Sequence, residues 1–194
     1  MCKHLFAVAA LALFLSAGAA AVHAQEGQMD AKAMEEMMMK LAAPGAPHQH
    51  LAQMTGNWTA RVTMFSPGAE PVTTDGTYEG EMVLGGRYLL GRFHTSMMGM
   101  PMEGMSIDGY DNAKNEFFSL WFDNMGTGVF SSTGSLSADG KVSTYHGKMA
   151  MGPMEMPTRS TNEWLDKDTM KFTMWQSMGG QEMKSMEITY KRSK

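Results

Sequence analysis

From Trp58 to Lys191 the chain is written in short segments rich in Thr, Val, Tyr, Phe, Trp and Met, cut about every 8–14 residues by Gly, Pro, Asn and Asp. No other feature limits the fold as much. Segments this short cannot be core helices, and the spacing leaves room only for hairpin turns. The predicted strands run near Trp58–Phe65, Thr73–Leu84, Tyr88–Met97, Met102–Tyr110, Glu116–Asn124, Val129–Leu136, Val142–Met149, Thr158–Trp164, Thr169–Gln176 and Met183–Lys191. Turn chemistry is strong at Ser66-Pro67-Gly68, Leu84-Gly85-Gly86, Ala138-Asp139-Gly140 and Gly179-Gly180. Two-residue alternation is clear where Trp58, Ala60, Val62 and Met64 share a face, and where Met170, Phe172 and Met174 do. A meander of about ten strands curls and closes on itself, because closure removes exposed edges. The expected fold is all-β, an antiparallel up-and-down barrel.

The residues ahead of the strands divide in two. Met1 to Ala24 has the secretory pattern: Lys3, an apolar run from Leu5 to Leu15, then Val22-His23-Ala24 before Gln25. The run is shorter than the ~20 residues of a membrane span. Residues 25–47 are expected to form a short helix from Asp30 to Ala42 and a Pro-Gly-Ala-Pro linker, with one more helical turn between His48 and Met54. Residues 48–194 are then the barrel domain of a periplasmic or secreted protein. The only cysteine, Cys2, lies in the leader, so the mature chain is expected to hold no disulfide and no thiolate metal site. Lys3 is the leader's one charged residue, so the net charge of −4 becomes −5 on cleavage. An acidic, mixed surface argues against nucleic acid as a partner, and the mature chain has no membrane segment. Oligomeric state is not legible.

The 24 methionines are unevenly placed. They crowd the third turn (Met97-Met98-Gly99-Met100-Pro101-Met102), the fifth (Met125), the seventh (Met149 to Met156) and the ninth (Met178 to Met183). The second, fourth, sixth and eighth turns hold none. In a meander the odd turns share one end, so one rim is rich in methionine and the other is polar. Three readings compete. Methionine is a flexible core filler. It can also form an adaptable apolar mouth for a small hydrophobic or amphiphilic ligand, with Trp58, Tyr78, Trp121, Phe172, Trp175, Met100, Met125 and Met154 as candidate contacts. Thioethers at Met-x-Met spacing also suit a soft metal, Cu(I) or Ag(I), held by Met98, Met100, Met102, Met151, Met154 and Met156. A further role is as an oxidant sink through reversible sulfoxide formation.

No catalytic constellation stands out, so a binding protein without enzymatic activity or resident cofactor is expected, copper being the alternative. His48 and His50 read as the polar face of a turn, and His94 and His146 as single strand residues. Asp123 beside Trp121 and Glu163 near Arg159 read as exposed strand residues or local ion pairs that could instead orient a ligand. No carboxylate pair has a spacing suited to acid–base work, and no nucleophile elbow is present.

The run His50-Leu51, Met54-Thr55-Gly56-Asn57-Trp58, Leu84-Gly85-Gly86-Arg87-Tyr88-Leu89, Met97 to Gly104, Gly109-Tyr110-Asp111-Asn112 and Trp121 to Gly128 resembles the bacterial domain-of-unknown-function 1579 family over residues 48–192. That family implies a fold and no activity. A looser resemblance is to lipocalin-like (calycin) barrels, in which a Gly-x-Trp opens the first strand and a basic residue of the last strand packs across the Trp. Gly56-Asn57-Trp58 with Lys191 or Arg192 matches that arrangement. Ligand binding implied by it is an analogy from fold.

Overall fold

The computed structural model describes residues 30–194, so the expected leader, with Cys2 and the junction before Gln25, lies outside the described residues. Helix α1 spans Ala31–Ala42 and buries none of its side chains. Helix α2, Ala46–Ala52, follows, with Pro47 in its first turn, where a missing N–H costs nothing. Ten strands complete the chain: β1 Gly56–Met64, β2 Val72–Val83, β3 Tyr88–Met97, β4 Met100–Asp111, β5 Glu116–Asp123, β6 Phe130–Leu136, β7 Val142–Met151, β8 Met154–Asp166, β9 Thr169–Met178 and β10 Gln181–Arg192. Each pairs antiparallel with its neighbours in sequence, and β10 returns to β1, closing the barrel. Among the described residues no helix is long and apolar enough to cross a membrane.

The strand count agrees with the sequence expectation, and so does the parity that depends on it. The turns after β1, β3, β5, β7 and β9 share one end of the barrel, and those after β2, β4, β6 and β8 share the other. The methionine segments are not long turns, however. The expected loops at Met97–Met102, Met149–Met156 and Met178–Met183 are strand for most of their length. Tight two-residue turns close them: Met98-Gly99, Gly152-Pro153 and Gly179-Gly180. Met98 and Gly99 both have positive φ (51° and 78°), the primed geometry whose twist matches paired strands. Met-x-Met therefore has a simple structural origin here: it is the two-residue period of a strand, which repeats methionine on one face.

The inward face is read from register and burial. Trp58, Ala60 and Val62 point in from β1, Tyr78 from β2, Leu89 and Phe93 from β3, Met102 and Ser106 from β4, and Phe117 from β5. Tyr145, Ser160, Met170, Met174, Ile188 and Tyr190 complete the circuit. Several inward glycines make room for rings of neighbouring strands. A Cβ on Gly91 would meet the Tyr78 ring at 2.5 Å, and one on Gly104 would meet Trp121 at 2.3 Å. The rings thus lie against the wall across these glycines.

Candidate functional site

The end that holds the even turns is sealed. Leu51 of helix α2 and Met54 just beyond its end pack over Leu89, Phe117, Tyr145, Met82, Tyr110 and Leu136. His48 Nδ1 accepts the Gly45 N–H at 3.0 Å, and the His48 ring meets Tyr110 edge-on at 6.0 Å. His50 lies edge-on to Phe117. Burial holds both imidazoles below their ordinary pKa, His48 in part against a hydrogen bond to the Tyr110 backbone. The pair is therefore a fastening of the helix to the barrel. Trp58 is 1 % exposed and donates Nε1–H to Met54 O at 3.1 Å. Arg192 lies 4.1 Å over its ring and donates to Thr55 O and Gln53 O, both at 2.8 Å. The basic partner of the Gly-x-Trp motif is thus Arg192 rather than Lys191. Two open grooves flank α2, of about 230 and about 340 Å³, and no rim methionine lines either.

The opposite end is built from methionine. Register places Met97 opposite Met100, Met149 opposite Met156 and Met151 opposite Met154. A bulge in β10 between Lys184 and Met186 resets its parity, so Met183 and Met186 both align with inward residues of β9, Gln176 and Met174. Gln176 Nε2 approaches Met149 Sδ at 3.6 Å. Met98, Met100, Met125, Met154 and Met178 are exposed, Met98 at 83 %. Just inside them Met64, Met97, Trp121, Phe130, Met149, Met156, Phe172 and Gln176 face the lumen yet stay only half-buried. Exposed methionines thus rim a partly buried inner ring at this end, and the largest fully buried side chain, Trp58, lies at the other.

Between floor and mouth lies a polar layer. Asp108 is on the inward face of β4, opposite Leu89 and Ser119. Its Oδ2 accepts the Ser106 hydroxyl at 2.8 Å, and Ser119 also donates to it. Burial raises its pKa, and the two serines only partly offset this. The charge of Asp108 in turn acts on Tyr78, Tyr145 and Tyr190, whose hydroxyls burial holds in the protonated form. Tyr78 and Tyr190 meet edge-on at 5.6 Å, Tyr190 meets Phe93 at 6.3 Å, and Phe93 meets Trp121 at 6.1 Å. A continuous line of rings thus leads from the polar layer towards the mouth. There Trp121 Nε1–H donates to Asp123 Oδ2 at 2.7 Å.

The candidates read from sequence separate accordingly. Tyr78, Trp121, Phe172 and Met100 face the lumen, and Met125 and Met154 are exposed at the mouth. Trp58 belongs to the sealed floor and is covered by Arg192, so it does not line an opening. Trp175 faces outward, one residue out of phase with Phe172 and Met174, under the Arg159 guanidinium at 3.8 Å. Of the methionines considered for a metal, Met102 is 6 % exposed and part of the core. Met98 is exposed at a turn, and Met156 is half-buried. Arg159 pairs with Glu182 at 2.8 Å, and Glu163 pairs instead with Lys171 at 2.8 Å, both on the outer face. Asp123 is a lumen residue rather than an exposed one. Among the described residues no group of three or more His, Cys, Asp or Glu side chains is placed to hold a metal. Asp108, Ser106, Ser119, Tyr145, Tyr190 and Phe93 were not singled out from sequence. The signal for Asp108 was its two-residue phase with Met102 and Tyr110.

The comparisons agree with this architecture. No curated protein matches the chain. Rv2717c from M. tuberculosis superposes with a TM-score of 0.60 at 14% identity, covering 78% of this chain and 100% of that one. The S-type phycobiliprotein lyase CPES from Guillardia theta superposes with a TM-score of 0.53 at 9% identity, covering 77% and 94%. Both are lipocalin-like barrels, and at these identities the likeness is one of fold. The family model described as "Protein of unknown function (DUF1579)" matches residues 43–192, and the chain belongs to that family.

Proposed function

We propose that this protein is an exported binding barrel that takes up a small amphiphilic molecule through its methionine-rich mouth and releases it unchanged. The observation that carries this reading is the uneven burial of the inward face. The most buried large side chains, Trp58, Leu89, Phe117 and Tyr145, lie towards α2, while exposed methionines, Met98, Met100, Met125, Met154 and Met178, ring the other end. Methionine has three rotatable side-chain bonds and a polarisable sulfur, so a ring of it can part and re-close around ligands of differing shape. The aromatic line from Trp121 to Tyr78 offers apolar contact below it, and the Asp108 layer offers hydrogen bonds at the far end.

Titration with N-phenyl-1-naphthylamine, which brightens in apolar surroundings, tests the reading. Saturable binding is expected, lost on Met100→Arg with Met154→Arg at the mouth and kept on Leu84→Arg at the opposite end. Absence of saturable binding, or equal loss from both ends, would contradict it. Export is checked by the mass of the protein recovered outside the cytoplasm, which should begin at Gln25.

A second reading, Cu(I) binding, is favoured by the β7–β8 hairpin, where Met149 pairs with Met156 and Met151 with Met154. Anaerobic Cu(I) titration against a competing chelator should then show weakened affinity after Met154→Leu with Met156→Leu. Unchanged affinity rules the hairpin out.

A further inference from the structure

Asp108 is the one carboxyl of the polar layer, and the groups that hydrogen-bond to it are hydroxyls. Ser106 and Ser119 donate to it from its own strand and from β5. Tyr78 of β2, Tyr145 of β7 and Tyr190 of β10 feel its charge. Leu89 is its partner on β3. At the sealed end His48 and His50 are engaged with Tyr110 and Phe117, and Arg192 with Trp58 and Asp168. A carboxyl enclosed in a barrel without a cation is costly in its ionised form and is normally excluded unless it has a task. The barrel wall encloses the Asp108 carboxyl, and the inward face around it carries the polar side chains of Ser119 and Asn162. Tyr78 and Tyr190, which feel the Asp108 charge, meet in a T-shaped contact, and aromatic faces attract cations.

We propose that Asp108, with Ser106, Ser119 and the rings of Tyr78 and Tyr190, receives the ammonium head of a cationic amphiphile, a long-chain amine whose tail runs to the methionine mouth. This rests on the reading of the barrel as an amphiphile binder and names the ligand class. The length can be gauged from the strand. Met100 to Asp108 on β4 spans about 26 Å of extended chain, or about 20 Å along a tilted barrel axis, which fits roughly 12–16 carbons. On binding, the ammonium supplies the missing counter-charge. A carboxyl that held its proton in the free protein releases it, and the resulting carboxylate accepts the N–H bonds.

The test compares dodecylamine, 1-dodecanol and dodecanoate at micromolar concentration on the full mature protein, read by displacement of N-phenyl-1-naphthylamine. The amine should bind at least about tenfold more tightly than the alcohol, as expected for a charge-assisted hydrogen bond, and dodecanoate most weakly. Asp108→Asn should abolish the preference for amine over alcohol. On the wild-type protein the amine-to-alcohol ratio should rise with pH through the titration of Asp108, with proton uptake by the buffer on binding. That measurement decides the matter even where the variant does not fold. Equal affinities for amine and alcohol at every pH, or an amine preference that survives Asp108→Asn, overturn the amine assignment and leave the amphiphile reading standing. Failure of all three to displace the probe overturns both.

Discussion

The two ends of the barrel use the same kind of strand and end up unlike. At the end near α2, side chains are large, interlocked and covered, and polar atoms there have fixed partners: Trp58 with Met54, Arg192 with Thr55 and Gln53, His48 with Gly45. At the other end the side chains are flexible thioethers, many of them exposed, over a half-buried inner ring. The difference teaches where stability and where adaptability reside. A closed barrel with no edge strand can leave one mouth loosely packed because the opposite floor, the continuous hydrogen-bonded wall and the T-shaped ring contacts hold the fold.

The sharpest way to break that comparison is to attack the floor. Trp58→Ala removes the most buried large side chain and should cost about 3–5 kcal/mol in denaturant unfolding. Met154→Ala at the mouth should stay within about 0.5 kcal/mol of wild type, as surface changes do. Comparable losses at the two sites would mean that the ends are not energetically distinct. Arg192→Ala should follow, at about 1.5–3 kcal/mol, because two backbone carbonyls lose a charged donor and the Trp58 face loses its cover.

Protonation separates the floor from the polar layer. His48 and His50 have folded pKa values lowered by burial from 6.5, so the unfolded chain binds protons first as pH falls. Their contribution is complete above the unfolded value and is lost on acidification through it. Hydrogen exchange at pH 5.5 against 7.5 should therefore speed the amides of α2 more than those of the β7–β8 hairpin, and the reverse order would contradict the assignment of the two imidazoles to the floor. Asp108 has the opposite sign. Its folded pKa is raised, so its contribution is complete below the ordinary value near 3.9 and is lost as pH climbs through the folded one. Asp108→Asn should thus gain stability relative to wild type between acidic and neutral pH, and a difference independent of pH would show that the fold does not raise the Asp108 pKa.

Much of this was legible in the sequence. All ten strands were, because turn residues punctuate them and Thr, Val and aromatics fill them. The two-ended character was legible too, since it follows from counting hairpins. What was not legible was direction at positions where both faces carry apolar residues. Strand β5 has Phe117, Phe118, Trp121 and Phe122, and β9 has Phe172 and Trp175, so hydrophobicity alone cannot say which side is in. That ambiguity placed Trp175 in the lumen. It also hid Asp108, because Met105 and Ile107 look like an apolar inner face and leave Asp108 to solvent, whereas Met102, Ser106 and Asp108 are the inward set. The methionine turns were overestimated in length because Gly-rich, Met-rich hairpins close in two residues and give the rest to the strands.

The smallest expected effects are the most direct probe of the mouth. Methionines at both ends can be read by peroxide footprinting with mass spectrometry, since oxidation follows exposure. In the free protein Met98 and Met154 should oxidise well before Met102 and Met170. Equal rates would remove the basis for an oxidant-sink role as well.

The same footprint taken with dodecylamine bound tests the central claim, that one end is a sealed floor and the other a working mouth. Protection of Met100, Met125, Met154 and Met156 is expected, with Met54 and Met82 at the α2 end unchanged. Protection of Met54 and Met82 with the rim unaffected would contradict it and move the binding site to the grooves beside α2.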